Sequence, residues 1–214
     1  MIFLVNKMIV LIQLFFLSIL VNSCHGQTVT RTEECKSRVA NASKMINSFY
    51  SEKKQNLLSD ALKEVEFSIN CPETKAKSIE LKISILSLQL QYDKASEFIN
   101  SLSESDFSKS YKKNMQSYLF KALSFESKSD SQNRDVNFKQ SIESIKQFIE
   151  KSKSIDKEAY YDLFFVKSKL LKKEEISKDL NALKKKYPSD AEFFELLKES
   201  FNEEAKQGTL QKVD

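Results

Sequence analysis

Glycine and proline are scarce in this sequence, and tryptophan is absent. The chain of 214 residues has two glycines and two prolines, and no glycine lies between Gln27 and Gln207. Tight hairpins between β-strands usually need glycine or asparagine at positive φ, so this scarcity argues against a sheet protein. Only Pro72 and Pro188 remove backbone hydrogen-bond donors. The composition therefore favours an all-α fold.

Residues that carry chemistry are also scarce. The one histidine, His25, lies near the start of the chain, where we expect no packed residues around it to hold a base or a metal ligand in position. Without a second histidine, a cysteine cluster or a glycine-rich phosphate loop, the templates for metal sites, catalytic triads and nucleotide sites all fail. We expect no catalytic residue, no metal and no cofactor, and hence no enzyme. An enzyme of unrecognised type would need a convergent polar pocket among the helices.

The charge of the chain is mild. The formal net charge is +4 at pH 7, and it becomes +3 if Lys7 is removed with a leader. This balance is too small to indicate a nucleic-acid partner. The densest basic run, Lys184-Lys185-Lys186, is typical of a solvated helix face.

The first residues are typical of a secretory signal. A mostly apolar run from Met8 to Val21 follows the single basic residue Lys7 and ends in small or polar residues. Its 14 residues are fewer than the roughly 20 that a membrane-spanning helix needs. We therefore predict a signal peptide over residues 1–23.

The residues Val21-Asn22-Ser23-Cys24 resemble the lipobox of bacterial lipoproteins. In that family the cysteine becomes the first residue of the mature chain and carries a thioether-linked diacylglycerol. In many bacteria its amine carries a further acyl chain such as palmitate. The resemblance implies lipidation of Cys24, followed by a short tether over residues 24–29. The alternative is an ordinary secretory signal that is cut after Gly26 and discards Cys24.

The resemblance also bears on location. Surface-displayed lipoproteins of the Bacteroidetes often carry an acidic tract soon after the lipidated cysteine, and nothing acidic follows Cys24 closely. The resemblance therefore implies a protein of the bacterial cell envelope, lipid-anchored in the outer membrane and facing the periplasm.

The cysteines Cys35 and Cys71 remain after the anchor cysteine, and an oxidising periplasm would permit them to pair. If two antiparallel helices turn near Lys53, both cysteines lie at the same height, which favours a disulfide. A helical projection puts Cys71 away from the apolar stripe of its helix, which favours two buried free thiols. Because Cys71 precedes Pro72, its backbone leaves the helical region and weakens that projection. Both alternatives stay open.

Apolar residues recur at helical spacing along most of the chain. Such stripes must pack on a neighbouring element. Short connections between them make successive helices antiparallel neighbours. Turn signals predict about nine helices, over residues 30–51, 54–71, 73–90, 92–103, 106–129, 133–153, 156–171, 173–187 and 189–206. The helix over 73–90 has two stripes and should be covered on two sides; they are Ile79, Ile83, Leu86 and Leu90, and Leu81, Ile85 and Leu88.

The segment LNALKKKYPSDAEFFELLKESF, Leu180 to Phe201, is similar to the repeat junction of tetratricopeptide lipoproteins of the outer-membrane assembly type. Two of the three intervals between predicted hairpins are close to the 34-residue period of such repeats. The resemblance implies a tetratricopeptide-like solenoid of stacked antiparallel hairpins over residues 30–206, with degenerate repeats. A flexible tail would follow over residues 207–214. The alternative is an unrelated helical bundle.

Four aromatic residues fall within six positions of one predicted helix: Tyr160, Tyr161, Phe164 and Phe165. They cannot all lie on one stripe, so some either meet two neighbours or face a groove where a partner binds. Buried aromatics dominate cores as well as interfaces. These four residues are our candidates for partner contact, with a core role as the alternative.

Together these features predict a lipid-anchored envelope protein whose helical-repeat surface binds another protein or peptide as a scaffold. The alternative function is that of an immunity or inhibitor lipoprotein, which blocks an exported toxin or hydrolase. The inhibitor would form a tight one-to-one complex and abolish the activity of its partner, whereas a scaffold would bind without inhibiting.

Overall fold

Nine helices and no strands make up residues 31–210, the part of the chain that the computed structural model describes, with side chains to Phe201. The all-α prediction is confirmed. The predicted signal peptide over 1–23, the tether over 24–29 with Cys24, and residues 211–214 lie outside the described residues. The helices are α1 (31–52), α2 (Gln55–Ser68), α3 (Lys75–Leu88), α4 (Tyr92–Ser101), α5 (Lys112–Ser127), α6 (Ser131–Lys151), α7 (Lys157–Lys167), α8 (Lys173–Lys186) and α9 (Ala191–Leu210).

The predicted helices match the observed ones in order and number, with shifts at some ends. Helix α5 begins at Lys112 rather than near 106, because residues 104–106 form a separate short turn. There the Ser103 amide donates to the Asp106 carboxylate at 2.9 Å, which closes the turn. Helix α9 runs to Leu210, four residues beyond the predicted end at 206.

Three helices end without glycine at a position that usually carries it. Lys53, Leu90 and Ser129 have φ values of 56°, 57° and 59°, the left-handed region in which a Cβ is unfavourable. After α5, the amide of Asp130 donates to the carbonyl of Phe125 at 2.9 Å, the bond that marks a Schellman helix end. Backbone hydrogen bonds therefore end these helices, and the left-handed residue is tolerated.

The described chain divides into two compact units, one up to Leu90 and the other from Gln91. In the first unit α2 packs on α3. Both stripes of α3 are buried as predicted at most positions, but Leu90 is 70% exposed. The expectation for Leu90 was wrong because its left-handed backbone takes the side chain off the line of the helical stripe. The core of this unit contains Ala42, Ile46, Phe49, Leu58, Ala61, Val65, Leu81 and Ile85.

In the second unit α5 packs on α4 and α6, α6 packs on α7, and α8 packs on α9, in a hairpin-like arrangement. Helices α5 to α9 share one apolar core. Buried serines lie where backbones come close. The Ser96 hydroxyl on α4 donates to the carbonyl of Ser117 on α5 at 3.3 Å. The Ser141 hydroxyl on α6 donates to the carbonyl of Met115 on α5 at 2.9 Å. These small polar residues allow close helix contact while their hydroxyls remain hydrogen-bonded.

Candidate functional site

The four aromatic candidates of α7 point in different directions. Tyr160 and Phe164 are buried, with 5% and 1% of their surface exposed, and belong to the core of the second unit. The ring of Tyr160 meets that of Phe194 edge to face at 5.3 Å. Both residues face inward because they lie four residues apart on the stripe that α7 buries, which agrees with the core role that was the alternative for them.

The other two aromatic candidates lie on a different face of α7. Phe165 is half-buried and packs against the core. Tyr161 is 47% exposed, and its ring stacks on that of Phe201 with 6.4 Å between ring centroids. Of the four side chains, that of Tyr161 is the most exposed, so the cluster does not form one partner-binding surface.

A cleft of about 430 Å³ lies over α7, between α6 and α8. Its apolar lining is formed by Ile149, Leu163, Phe164 and Leu183. Leu163 and Phe164 are buried, whereas Ile149 and Leu183 are half-buried and form the walls. Ala182, an exposed residue with a small side chain, stands at the α8 lip. Three helices of one unit thus build an open groove that solvent reaches.

The rim of this α6–α8 cleft carries mostly basic side chains. Lys167 is held by an ion pair, with 2.6 Å between its Nζ atom and Oδ2 of Asp179. The other two lysines, Lys146 and Lys186, form no ion pair with a carboxylate among the described residues, although the Lys186 ammonium lies 5.1 Å from the Tyr187 ring centroid. Glu150 completes the charged rim. Two lysines are therefore available to an incoming anionic group.

The tyrosine at the base of the cleft already has a hydrogen-bond partner. Burial raises the pKa of Tyr160, and the hydrogen bond that its hydroxyl donates to Tyr187 raises it further. That same hydrogen bond, with a second from Lys186, lowers the pKa of Tyr187. The polar atom of Tyr160 is thus used within the fold, and the floor presents mainly carbon to a ligand.

A second depression, of about 700 Å³, follows the outer face of α8. It is lined by residues of that helix, including Lys173, Lys178 and Lys185, with one acidic neighbour, Glu174. Ala182 borders both this depression and the α6–α8 cleft. The basic character of the rim therefore continues around α8.

Helix α7, which forms the floor, is held at its start by charged contacts with the region of α5. Asp156 caps α7, accepting from the Ala159 amide at 3.0 Å, and also binds Lys109. The Tyr111 hydroxyl donates to Oδ2 of Asp162 at 2.7 Å. Burial and this hydrogen bond both raise the pKa of Tyr111, so it stays a neutral donor. These contacts fix the position of the cleft floor.

Cys35 and Cys71 are joined by a disulfide in the structure, with 6.4 Å between their Cα atoms. Both residues are buried. Cys71 lies beyond the end of α2, in the turn before Pro72, so the helical projection that placed it away from the core does not apply. The bond ties α1 to the turn between α2 and α3.

Within residues 31–210, no cluster of three or more histidine, cysteine, aspartate or glutamate residues has the arrangement of a metal site. The helices of that same region are all too short or too polar to cross a bilayer.

No protein-family model matches the sequence, and the searches of curated proteins and of solved structures give no significant match. The cleft and its charges, together with the sequence of residues 1–29, are therefore the basis for a functional proposal.

Proposed function

We propose that this chain is a lipid-anchored envelope protein that binds another protein through its helical surface and acts as a scaffold. The observation that carries the proposal is the open α6–α8 cleft, with apolar side chains as its floor and lysines at its rim. We attribute the hairpin arrangement to degenerate tetratricopeptide-like repeats, which commonly present such surfaces to partners.

The composition of the cleft resembles a protein-binding surface. Interfaces usually combine an apolar centre, which supplies most of the binding energy, with a polar rim that stays in contact with water. Grooves between helices receive the apolar side chains of a partner segment. The α6–α8 cleft has the same design, because Phe164 and Leu163 lie at its base while Lys146 and Lys186 lie at its edge.

The proposed anchor would make a modest affinity sufficient. Acyl chains on Cys24 would hold the protein at the membrane, where a partner in the same envelope meets it at a raised effective concentration. A tethered scaffold can therefore bind reversibly through a small surface and still keep its partner close.

The proposal is tested by crosslinking in intact bacterial cells, followed by pull-down and mass spectrometry. The native chain is compared with a Cys24→Ala variant, which cannot be lipidated. We expect a discrete envelope protein to be captured by the native chain and to be lost or strongly reduced with the variant. Capture of no specific protein, or equal fractionation and capture by both forms, would contradict the proposal.

The activity of a captured partner distinguishes a scaffold from an inhibitor. If the partner is a toxin or hydrolase, its rate is measured with and without an excess of this protein. An unchanged rate agrees with scaffolding. Loss of that rate in a tight one-to-one complex would instead favour an immunity or inhibitor lipoprotein.

A further inference from the structure

We infer that the α6–α8 cleft takes an acidic amphipathic segment of the partner protein. Apolar side chains of that segment would enter the cleft, and its carboxylates would meet Lys146 and Lys186. The inference rests on the proposed function, because it names the chemistry of the segment that a scaffold of this kind would hold.

The floor of the cleft requires apolar side chains in the segment that binds there. Leu163 and Phe164 present carbon atoms at its base, and Ile149 and Leu183 form its walls. A volume of about 430 Å³ accepts a few side chains rather than a whole helix. The small side chain of Ala182 leaves the α8 lip low, so a partner backbone can run along the rim while its side chains point inward.

The rim sets the charge of the occupant. Lys167 is neutralised by Asp179, whereas Lys146 and Lys186 have no carboxylate partner among the described residues. A bound carboxylate near either ammonium would be attracted, whereas a basic segment would be repelled at the same positions. Glu150 is a single opposing charge on this rim.

The surface beside the cleft strengthens the same preference. Lys173, Lys178 and Lys185 follow the outer face of α8, and this basic face meets the cleft at Ala182. Acidic residues that flank the apolar anchors of a partner would therefore find further lysines. Long-range attraction of this kind raises the rate of association and falls with ionic strength.

The shape of the cleft favours a protein segment over a lipid. Small-molecule sites usually bury most of their ligand, and an acyl chain in this open groove would remain largely in water. A flat bilayer surface would meet the lysines of α8 but would not reach the buried residues Leu163 and Phe164. A protein segment can place apolar side chains against the floor and carboxylates against the rim lysines at the same time.

The test selects peptides from a random display library against the purified full-length chain. Three variants are then compared with it. Ala182→Phe fills the lip of the cleft at an exposed position, and Lys146→Glu combined with Lys186→Glu reverses the rim charge. Lys151→Glu is the matched control, because this exposed lysine on α6 does not line the cleft. Circular dichroism establishes that each variant is folded.

We expect the enriched peptides to combine apolar anchors with a net negative charge. Their affinity should fall roughly tenfold or more with Ala182→Phe and with the double charge reversal, and should change little with Lys151→Glu. Enrichment of basic or neutral peptides, equal binding by all variants, or no enrichment would overturn the inference. Binding of a fluorescent fatty acid to the native chain, and loss of that binding in the Ala182→Phe variant, would also overturn the inference, in favour of a lipid occupant.

These outcomes are independent of the test in cells. If acidic peptides bind the cleft but no envelope protein is captured in cells, the scaffold proposal fails and the assignment of the cleft stands. If an envelope protein is captured and its binding does not respond to the cleft variants, the assignment of the cleft fails and the scaffold proposal stands.

Discussion

The Nζ atom of Lys109 lies 2.6 Å and 2.7 Å from the two carboxylate oxygens of Asp156. Lys109 precedes α5 and Asp156 is the N-cap of α7, so one ion pair connects the starts of two helices that are distant in sequence. Both side chains are mostly buried, with 23% and 22% of their surfaces exposed. The pair is therefore less screened by solvent than the surface ion pairs of the molecule.

We predict that Lys109→Met destabilises the protein by about 1–3 kcal/mol. The substitution keeps most of the side-chain volume but leaves the partly buried Asp156 carboxylate without its charged partner. Urea unfolding followed by circular dichroism measures the loss. Lys151→Met is the control, because Lys151 is exposed, and we expect a change within about 0.5 kcal/mol. Equal effects of the two substitutions would contradict the role of the pair.

The same pair predicts a pH dependence. Burial alone would raise the pKa of Asp156, but the hydrogen bonds from Lys109 and from the Ala159 amide outweigh it and hold the pKa below its usual value. Hydrogen bonds from Lys109 and Lys112 also lower the pKa of Glu158. The unfolded chain therefore binds more protons than the folded chain in the acidic range, and stability falls as the pH falls below about 4.

This dependence is checked by unfolding the native chain and Lys109→Met at a series of pH values from neutral to about pH 3. The stability difference between the two proteins should be fully present near neutrality and should shrink as the carboxylates become protonated. A difference that is constant over the whole range would show that Lys109 stabilises the fold without acting on these carboxylates.

The disulfide between Cys35 and Cys71 should contribute about 3–4 kcal/mol to stability, since it closes a loop with a sequence separation of 36 residues. The test is thermal unfolding with and without dithiothreitol, in a Cys24→Ala background that leaves one cysteine pair. Reductant should lower the midpoint of this protein. The reductant should have no effect on the midpoint of a variant that also carries Cys35→Ala and Cys71→Ala. An unchanged midpoint in the Cys24→Ala protein would contradict a stabilising disulfide.

Leu90→Gly should stabilise the protein by about 0.5–1 kcal/mol. Leu90 has φ 57° and is largely exposed, so glycine removes the Cβ penalty of the left-handed region with little loss of packing. Leu90→Ala is the matched control, because alanine keeps the Cβ atom and should give no comparable gain. Chemical unfolding of both variants measures the difference, and a loss of stability with glycine would mean that Leu90 makes contacts that outweigh its strain.

Helical periodicity made the order of the helices predictable, but it could not fix every residue at a helix end. Stripes at three- and four-residue spacing predicted core positions of α3, where Ile79 and Ile85 are buried. The same reasoning placed Leu90 in a stripe, although the chain leaves the helix just before it. Helical periodicity predicts the direction of a side chain only while the backbone stays helical. The sequence carries only a weak signal for the end of α3, because no glycine marks it.

The aromatic cluster shows a similar limit. Composition singled out Tyr160, Tyr161, Phe164 and Phe165 as a group, whereas their spacing assigns the first and third to one face of α7 and the other two to another. The structure buries the first pair. Attention to the four-residue step would have separated the core residues from the exposed Tyr161 before the structure was known.

The α6–α8 cleft was not predictable from any local pattern. Lys146 and Lys186 lie forty residues apart on different helices, and each looks like an ordinary surface lysine in the sequence. Their shared rim depends on how α6 and α8 pack over α7. Ala182 carried no signal either, since its importance lies in the absence of a larger side chain at the α8 lip.

The most direct test of protein binding at the cleft is photo-crosslinking in cells from position 150. A photoreactive phenylalanine analogue replaces Glu150, the exposed acidic residue of the rim, in the native chain, and a second protein carries the analogue instead of the exposed Lys94 on α4. We predict one discrete protein adduct from position 150, which is lost when Lys146→Glu and Lys186→Glu are added and is absent from position 94. No protein adduct from position 150, or the same adduct from both positions, would contradict the α6–α8 cleft as the binding site.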